Sequence, residues 1–114
     1  MSRLSLVMVT VAALALPAMA RAETWAGVSM VDTNCSGKVK GDPDKHTTEC
    51  ALKCAKSGFG VLKADGTFVP FDKSGNDLAL AALKGTKKTN SLRVNVTGEV
   101  KGGVIAVSAL TMAD

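Results

Sequence analysis

The chain has 114 residues, with 14 Lys and Arg against 10 Asp and Glu and a single His, so its formal net charge at pH 7 is +4. It contains one Trp, three Phe and no Tyr, too few rings for the base-stacking platforms of single-strand nucleic-acid binders. Composition and charge therefore argue against a nucleic-acid partner, and the length suits one small domain rather than two.

The first 22 residues have the pattern of a secretory signal. Arg3 precedes an apolar run from Leu4 to Leu16, and Ala20-Arg21-Ala22 fits the small-x-small pattern of a cleavage site. The run is shorter than the ~20 apolar residues of a spanning helix, so a retained anchor is the weaker interpretation. We predict a signal peptide over 1–22, a periplasmic or secreted domain over 23–114, and no membrane span after cleavage.

The mature chain opens with a predicted strand from Trp25 to Val31, in which Gly27 permits a bend or a bulge. The next segment, 32–45, is dense in Gly, Asp, Asn, Ser and Pro, a composition typical of a loop. A first helix is predicted beyond this loop. Thr47 or Thr48 can cap it, and it would end near Lys56.

A predicted hairpin and a second helix come next. Phe59 to Lys63 and Thr67 to Phe71 read as strands on either side of the turn Ala64-Asp65-Gly66. Residues 72–76 are predicted to form a loop, followed by a short helix from Leu78 to Lys84 that would plug the core.

The last predicted elements form another hairpin. Apolar and polar residues alternate from Leu92 to Val100, which predicts a half-buried strand, and a Gly-containing turn leads into a strand from Val104 to Leu110. We expect the core to be built from these strands and the second helix, by Leu78, Leu83, Val94, Val96, Val104 and Ile105.

Five short strands with a helix between the third and the fourth follow the order of the OB barrel. We therefore expect a mainly β fold with two short helices, closed into a five-stranded OB-like small barrel. Closure would remove the exposed edges of an isolated sheet, and the second helix would cover one end.

The pattern Trp25-x-Gly27, Asp32-x-x-Cys35 and then His46, Cys50 and Cys54 resembles a group of small exported bacterial domains of uncharacterised function. The resemblance covers nearly the whole mature chain. It implies an OB-like barrel and a periplasmic location, and it implies no reaction.

All the cysteines and the only histidine lie in the segment 35–54, as Cys35, His46, Cys50 and Cys54. With His46 at the entrance of the predicted helix, the spacing of four would align His46, Cys50 and Cys54 along one side of it. Cys35 would fold back onto them from the loop. This cluster is the candidate site, and three interpretations of it remain open.

The first interpretation is a structural disulfide with one spare thiol, since an exporting compartment favours disulfides. Helical residues four apart keep their Cβ atoms ~5–6 Å apart, whereas a disulfide requires ~3.8 Å. A Cys50–Cys54 bridge is therefore disfavoured, and Cys35 is expected to pair with either Cys50 or Cys54.

The second interpretation is a Cys₃His metal site formed by Cys35, His46, Cys50 and Cys54, which would suit Zn²⁺ or Cu(I). The third is a thiol-dependent redox protein, although the chain contains no Cys-x-x-Cys motif. Neither a nucleophile elbow nor a phosphate loop nor a dinucleotide fingerprint is present in the sequence, so we do not expect an enzyme.

The sequence thus predicts a small periplasmic binding or accessory domain that is stabilised by a disulfide from Cys35. Its partner would be a protein or a small ligand whose identity the sequence leaves open. Metal binding by the Cys/His cluster is the alternative function, and thiol redox chemistry is a more distant one.

Overall fold

The computed structural model describes residues 22–113, so the predicted signal peptide lies outside the described residues except for Ala22. Within this range no helix has the length and apolar character needed to cross a membrane. Two helices are present, α1 (Thr48–Lys53) and α2 (Lys73–Gly85). The strands are β1 (Glu23–Asp32), β2 (Phe59–Leu62), β3 (Phe68–Pro70), β4 (Arg93–Lys101) and β5 (Val104–Met112).

The strands form one antiparallel sheet in the order β3-β2-β1-β4-β5. The predicted mainly β fold with two helices is therefore confirmed. The predicted closure is not, because the sheet is open. An isolated parallel bridge links Phe71, which follows β3, to Ile105 of β5.

β3 is short, and the side chain of Asp72 occupies the position beyond it. These two features explain why the hydrogen bonds between the β3 and β5 edges do not continue as a longer ladder. Beyond the bridge, the Asp72 N–H donates to the Ile105 carbonyl at 2.9 Å. The Asp72 carboxylate then accepts from the N–H of Val107 at 3.2 Å, a position that a neighbouring strand would otherwise fill. The same carboxylate caps α2 by accepting from the N–H of Gly75.

The predicted bend at Gly27 is confirmed. The pairing of β1 with β4 shifts register between Trp25 and Val28, and Gly27 has φ +62°, a value that favours glycine. The side chain of Asn95 accepts from the Gly27 N–H, and the Arg93 guanidinium donates to the Gly27 carbonyl, so the bulge is held from β4.

Both helices differ from their predicted bounds. The side chain of Thr47 caps α1, as one of the two predicted alternatives, but the helix ends at Lys53 and a 3-10 turn over Ala55–Ser57 follows. Helix α2 begins at Lys73, where a loop was expected. Asp, Ser, Gly and Asn are frequent in loops, but they also suit a capped first turn, and here Asp72 is the cap.

The core lies between the sheet and the helices, and α2 packs chiefly on β5. Leu83, Val94, Val96 and Ile105 are buried as predicted, whereas Leu78 and Val104 are only half-buried. Val31 and Leu62 are buried outside this core cluster. Their neighbours Met30 and Val61 belong to the cluster, so alternation places Val31 and Leu62 on the opposite face of the sheet.

Candidate metal centre

Asp32 ends β1 with a side chain that is 0% exposed. One carboxylate oxygen, Oδ2, accepts a hydrogen bond from the backbone N–H of Cys35 at 2.9 Å, and so caps the 3-10 turn Thr33–Cys35. The Asp-x-x-Cys spacing thus has a local cause, because an N-cap oxygen bonds the backbone N–H a few residues further on. The cap fixes the direction in which the chain leaves the sheet.

His46 is the second buried polar residue of the site. It follows the 3-10 turn Pro43–Lys45 in an extended conformation, and its side chain is 4% exposed. The ring nitrogen Nε2 lies 2.7 Å from Oδ1 of Asp32. A carboxylate oxygen can only accept, so Nε2 is the donor of this hydrogen bond.

The turn that carries His46 is tied to β4. The Arg93 guanidinium donates to both carboxylate oxygens of Asp44, at 3.1 Å from Nε and 2.9 Å from Nη2. These hydrogen bonds hold the pKa of Asp44 below its ordinary value of 3.8. The Asp44 carbonyl also accepts from the N–H of Ser91 at 2.9 Å, so side chain and backbone both position the turn.

Cys35 completes a compact group with Asp32 and His46. One potential ligand atom from each of the three residues lies within 4.8 Å of the other two, and the group could hold a metal ion. Burial raises the pKa of the Cys35 thiol to about 11, and the Asp32 carboxylate and the Cys54 thiol add to that rise. The thiol is therefore protonated at neutral pH. Because the thiolate is the nucleophilic form of cysteine, Cys35 does not have the character of a reactive thiol.

The other two predicted ligands, Cys50 and Cys54, lie in different surroundings. Cys54 lies beside Cys35, and its sulfur accepts a hydrogen bond from the Asn34 side chain at 3.5 Å. Cys50 is exposed, and neither Cys50 nor Cys54 belongs to the compact group.

The predicted disulfide from Cys35 is not seen. Cys35, Cys50 and Cys54 are all free, so no disulfide links them in this structure. In this structure the loop is held instead by the Asp32 cap and the Asp32–His46 hydrogen bond.

The expected alignment along one side of a helix also fails, because α1 is too short. His46 precedes the cap residue Thr47, and Cys54 follows the last helical residue Lys53, so only Cys50 lies within the helix. The compact group instead joins the end of β1, and the 3-10 turn that directly follows it, to the residue after a second turn, Pro43–Lys45.

Asp32 was missed as a candidate ligand, although the Asp-x-x-Cys pattern contained it. A local signal was available, since an Asp that caps a turn brings the residue three positions later to the same place. Its pairing with His46 has no comparable signal, because His46 lies 14 positions further along the chain.

The described domain is therefore a mainly β domain with a candidate metal centre at the end of its first strand. Comparison with known proteins gives no match among family models, curated proteins or solved structures.

Proposed function

We propose that this domain binds a zinc ion through Asp32, Cys35 and His46. The observation that carries the proposal is the compactness of the group, with the three potential ligand atoms within 4.8 Å of one another. In a tetrahedral zinc site the ligand atoms lie ~2.0–2.3 Å from the ion, so only small shifts of these side chains would be needed to surround one.

The donor set favours zinc over copper(I). A carboxylate, an imidazole and a thiolate together suit Zn²⁺, whereas Cu(I) prefers sites dominated by soft sulfur. Cys54 is the natural fourth ligand because its thiol already lies beside that of Cys35. This set replaces the predicted Cys₃His site by keeping Cys35, His46 and Cys54, adding Asp32 and leaving out the exposed Cys50.

The wider proposal is a small exported binding or accessory domain rather than an enzyme. Its strand order and the parallel bridge between Phe71 and Ile105 support a partly open OB-like barrel. The charge, apolar run and small residues at the start of the chain support export to the periplasm.

The competing account is that Asp32 and His46 form a purely structural pair that binds no metal. The zinc content of the protein distinguishes this account from the zinc proposal. The purified protein is loaded with Zn²⁺, dialysed and analysed for metal, together with Cys35→Ser, Asp32→Asn and Cys50→Ser. Asp32→Asn keeps an acceptor for His46 but removes a charged ligand. Cys50→Ser is the matched control, since it removes a cysteine outside the group.

We expect about one zinc per chain in the wild type and in Cys50→Ser, and little in the other two variants. A wild-type protein that retains no zinc, or variants that all retain the same amount, would leave the structural account in place.

A further inference from the structure

A cleft of about 330 Å³ lies on the outer face of the sheet, where the loop that follows β1 passes over it. Its floor includes Ser29 of β1 and Leu62 of β2, and Pro43 of the loop lines the side opposite. This volume is at the lower end of the range for small-ligand sites, ~300–1,000 Å³. The candidate metal group does not line it.

Three cations line the cleft: Lys40, Lys63 and Arg93. Arg93 is already occupied by Asp44 and by the Gly27 carbonyl, so it acts as a fixed part of the wall. Lys40 and Lys63 are exposed, and neither forms an ion pair within residues 22–113.

Acidic groups reduce this positive charge only in part. The Asp44 carboxylate is bound to Arg93, and Asp65 lies close enough to Lys63 for that lysine to help lower its pKa. The largest cause of that lowering is the hydrogen bond from the N–H of Thr67, so Asp65 is directed toward its own turn.

A serine side chain also lines the cleft. Ser29 is only 8% exposed and lies among the residues that surround the cleft. Its neighbour Met30 belongs to the core, so alternation directs the Ser29 side chain to the cleft side of the sheet. The Ser29 hydroxyl can therefore donate a hydrogen bond to a polar group in the cleft.

We propose that the cleft binds a small organic anion. Its carboxylate or phosphate group is held by Lys40 and Lys63 and accepts a hydrogen bond from Ser29. Its apolar part lies against Leu62 and Pro43. Lysine serves either anion as a point charge, so the protein side is the same for both groups.

The test uses metal-free protein, with the chelator removed by dialysis, so that its outcome is independent of the zinc proposal. Phenyl phosphate and benzoate are the anionic probes, and phenol is the neutral control. Binding is followed through the backbone amide NMR signals of Ser29, Gly41 and Lys63 at constant ionic strength. The variants are Lys40→Gln, Lys63→Gln and Ser29→Ala, with Lys84→Gln, an exposed lysine on α2, as the matched control.

We expect saturable shifts at these amides with one or both anions and none with phenol. Each lysine variant should weaken binding about tenfold, as the loss of one charge-assisted contact predicts, and Ser29→Ala should also weaken it. Lys84→Gln should bind like the wild type. If only one of the two anionic probes saturates the shifts, that result shows whether the cleft prefers a phosphate or a carboxylate group.

No saturable shift with either anion would overturn the proposal. So would equal binding by the wild type, Lys40→Gln and Lys63→Gln, or a phenol response as large as that of the anions. All substituted cleft residues except Ser29 are exposed or half-buried, so these variants are expected to fold. The dispersion of the same spectra shows whether each variant is folded.

Discussion

Nε2 of His46 lies 2.7 Å from Oδ1 of Asp32, and both side chains are almost completely removed from solvent. The pair joins the end of β1 to the turn before α1. Each residue is the hydrogen-bond partner that makes burial of the other tolerable.

Asp32→Ala should therefore destabilise the metal-free protein by about 1–3 kcal/mol, the usual cost of leaving a buried hydrogen-bond donor without its partner. Asp32→Asn should cost much less, because its side-chain carbonyl can still accept from His46. Urea unfolding of the two variants measures the difference. Equal free energies of unfolding for Asp32→Ala and the wild type would show that the pair contributes nothing to the fold.

The ion pair of Asp44 with Arg93 should make stability depend on pH in the acid range. The pKa of Asp44 is lowered in the folded state, mainly by its hydrogen bonds with Arg93. A lowered folded-state pKa gives stability that is present above the ordinary value of 3.8 and is lost as the pH falls through the folded value. Arg93→Gln should flatten this part of the profile, as measured by denaturant unfolding between pH 5 and pH 2. The same acid slope in both proteins would assign the effect to other carboxylates.

Zinc binding should release protons at neutral pH. The pKa of the Cys35 thiol is raised to about 11 by burial and by the neighbouring Asp32 carboxylate, so the thiol must lose its proton when it becomes a ligand. Calorimetric titrations with Zn²⁺ in buffers of different ionisation enthalpy give the number of protons released. We expect at least one in the wild type and fewer in Cys35→Ser. A heat of binding that does not vary with the buffer would mean that no thiol is deprotonated.

Leu83 tests the contribution of α2 to the core. It is 2% exposed and belongs to the core cluster, so Leu83→Ala should destabilise the protein by about 2–5 kcal/mol. Leu78→Ala on the same helix is the comparison, since Leu78 is half-buried and should cost less. Urea unfolding measures both. A loss below about 0.5 kcal/mol for Leu83→Ala, the range of ordinary surface substitutions, would make α2 peripheral to the core.

The elements with strong local signals could be predicted from the sequence. Alternation identified β4, and the Gly-containing turn after it predicted β5. Gly27 marked the bulge in β1, and a threonine cap marked the start of α1. The start of α2 was misplaced because the residues that form its first turn are also common loop residues. Local patterns carry little information on where a sheet edge stops pairing, and for this reason the predicted closure went beyond what the structure shows.

The candidate site was predicted in part for a similar reason. Cys35 and His46 were singled out by their chemistry, and the structure brings them together. Their meeting depends on a buried aspartate and on a loop whose path is fixed by Arg93 and Ser91, both distant in sequence. Cys50 fits the spacing equally well, but it lies at an exposed position of α1 and outside the compact group.

The absorption spectrum of the cobalt(II)-loaded protein tests the central claim most directly, because Co²⁺ replaces Zn²⁺ in tetrahedral sites and reports on its ligands. The account predicts intense visible bands of tetrahedral Co²⁺ and a near-ultraviolet thiolate-to-cobalt band. Both should be lost in Cys35→Ser, kept in Cys50→Ser and displaced by about one equivalent of Zn²⁺. A spectrum that stays that of hydrated Co²⁺, or a thiolate band that survives Cys35→Ser but disappears in Cys50→Ser, would contradict it.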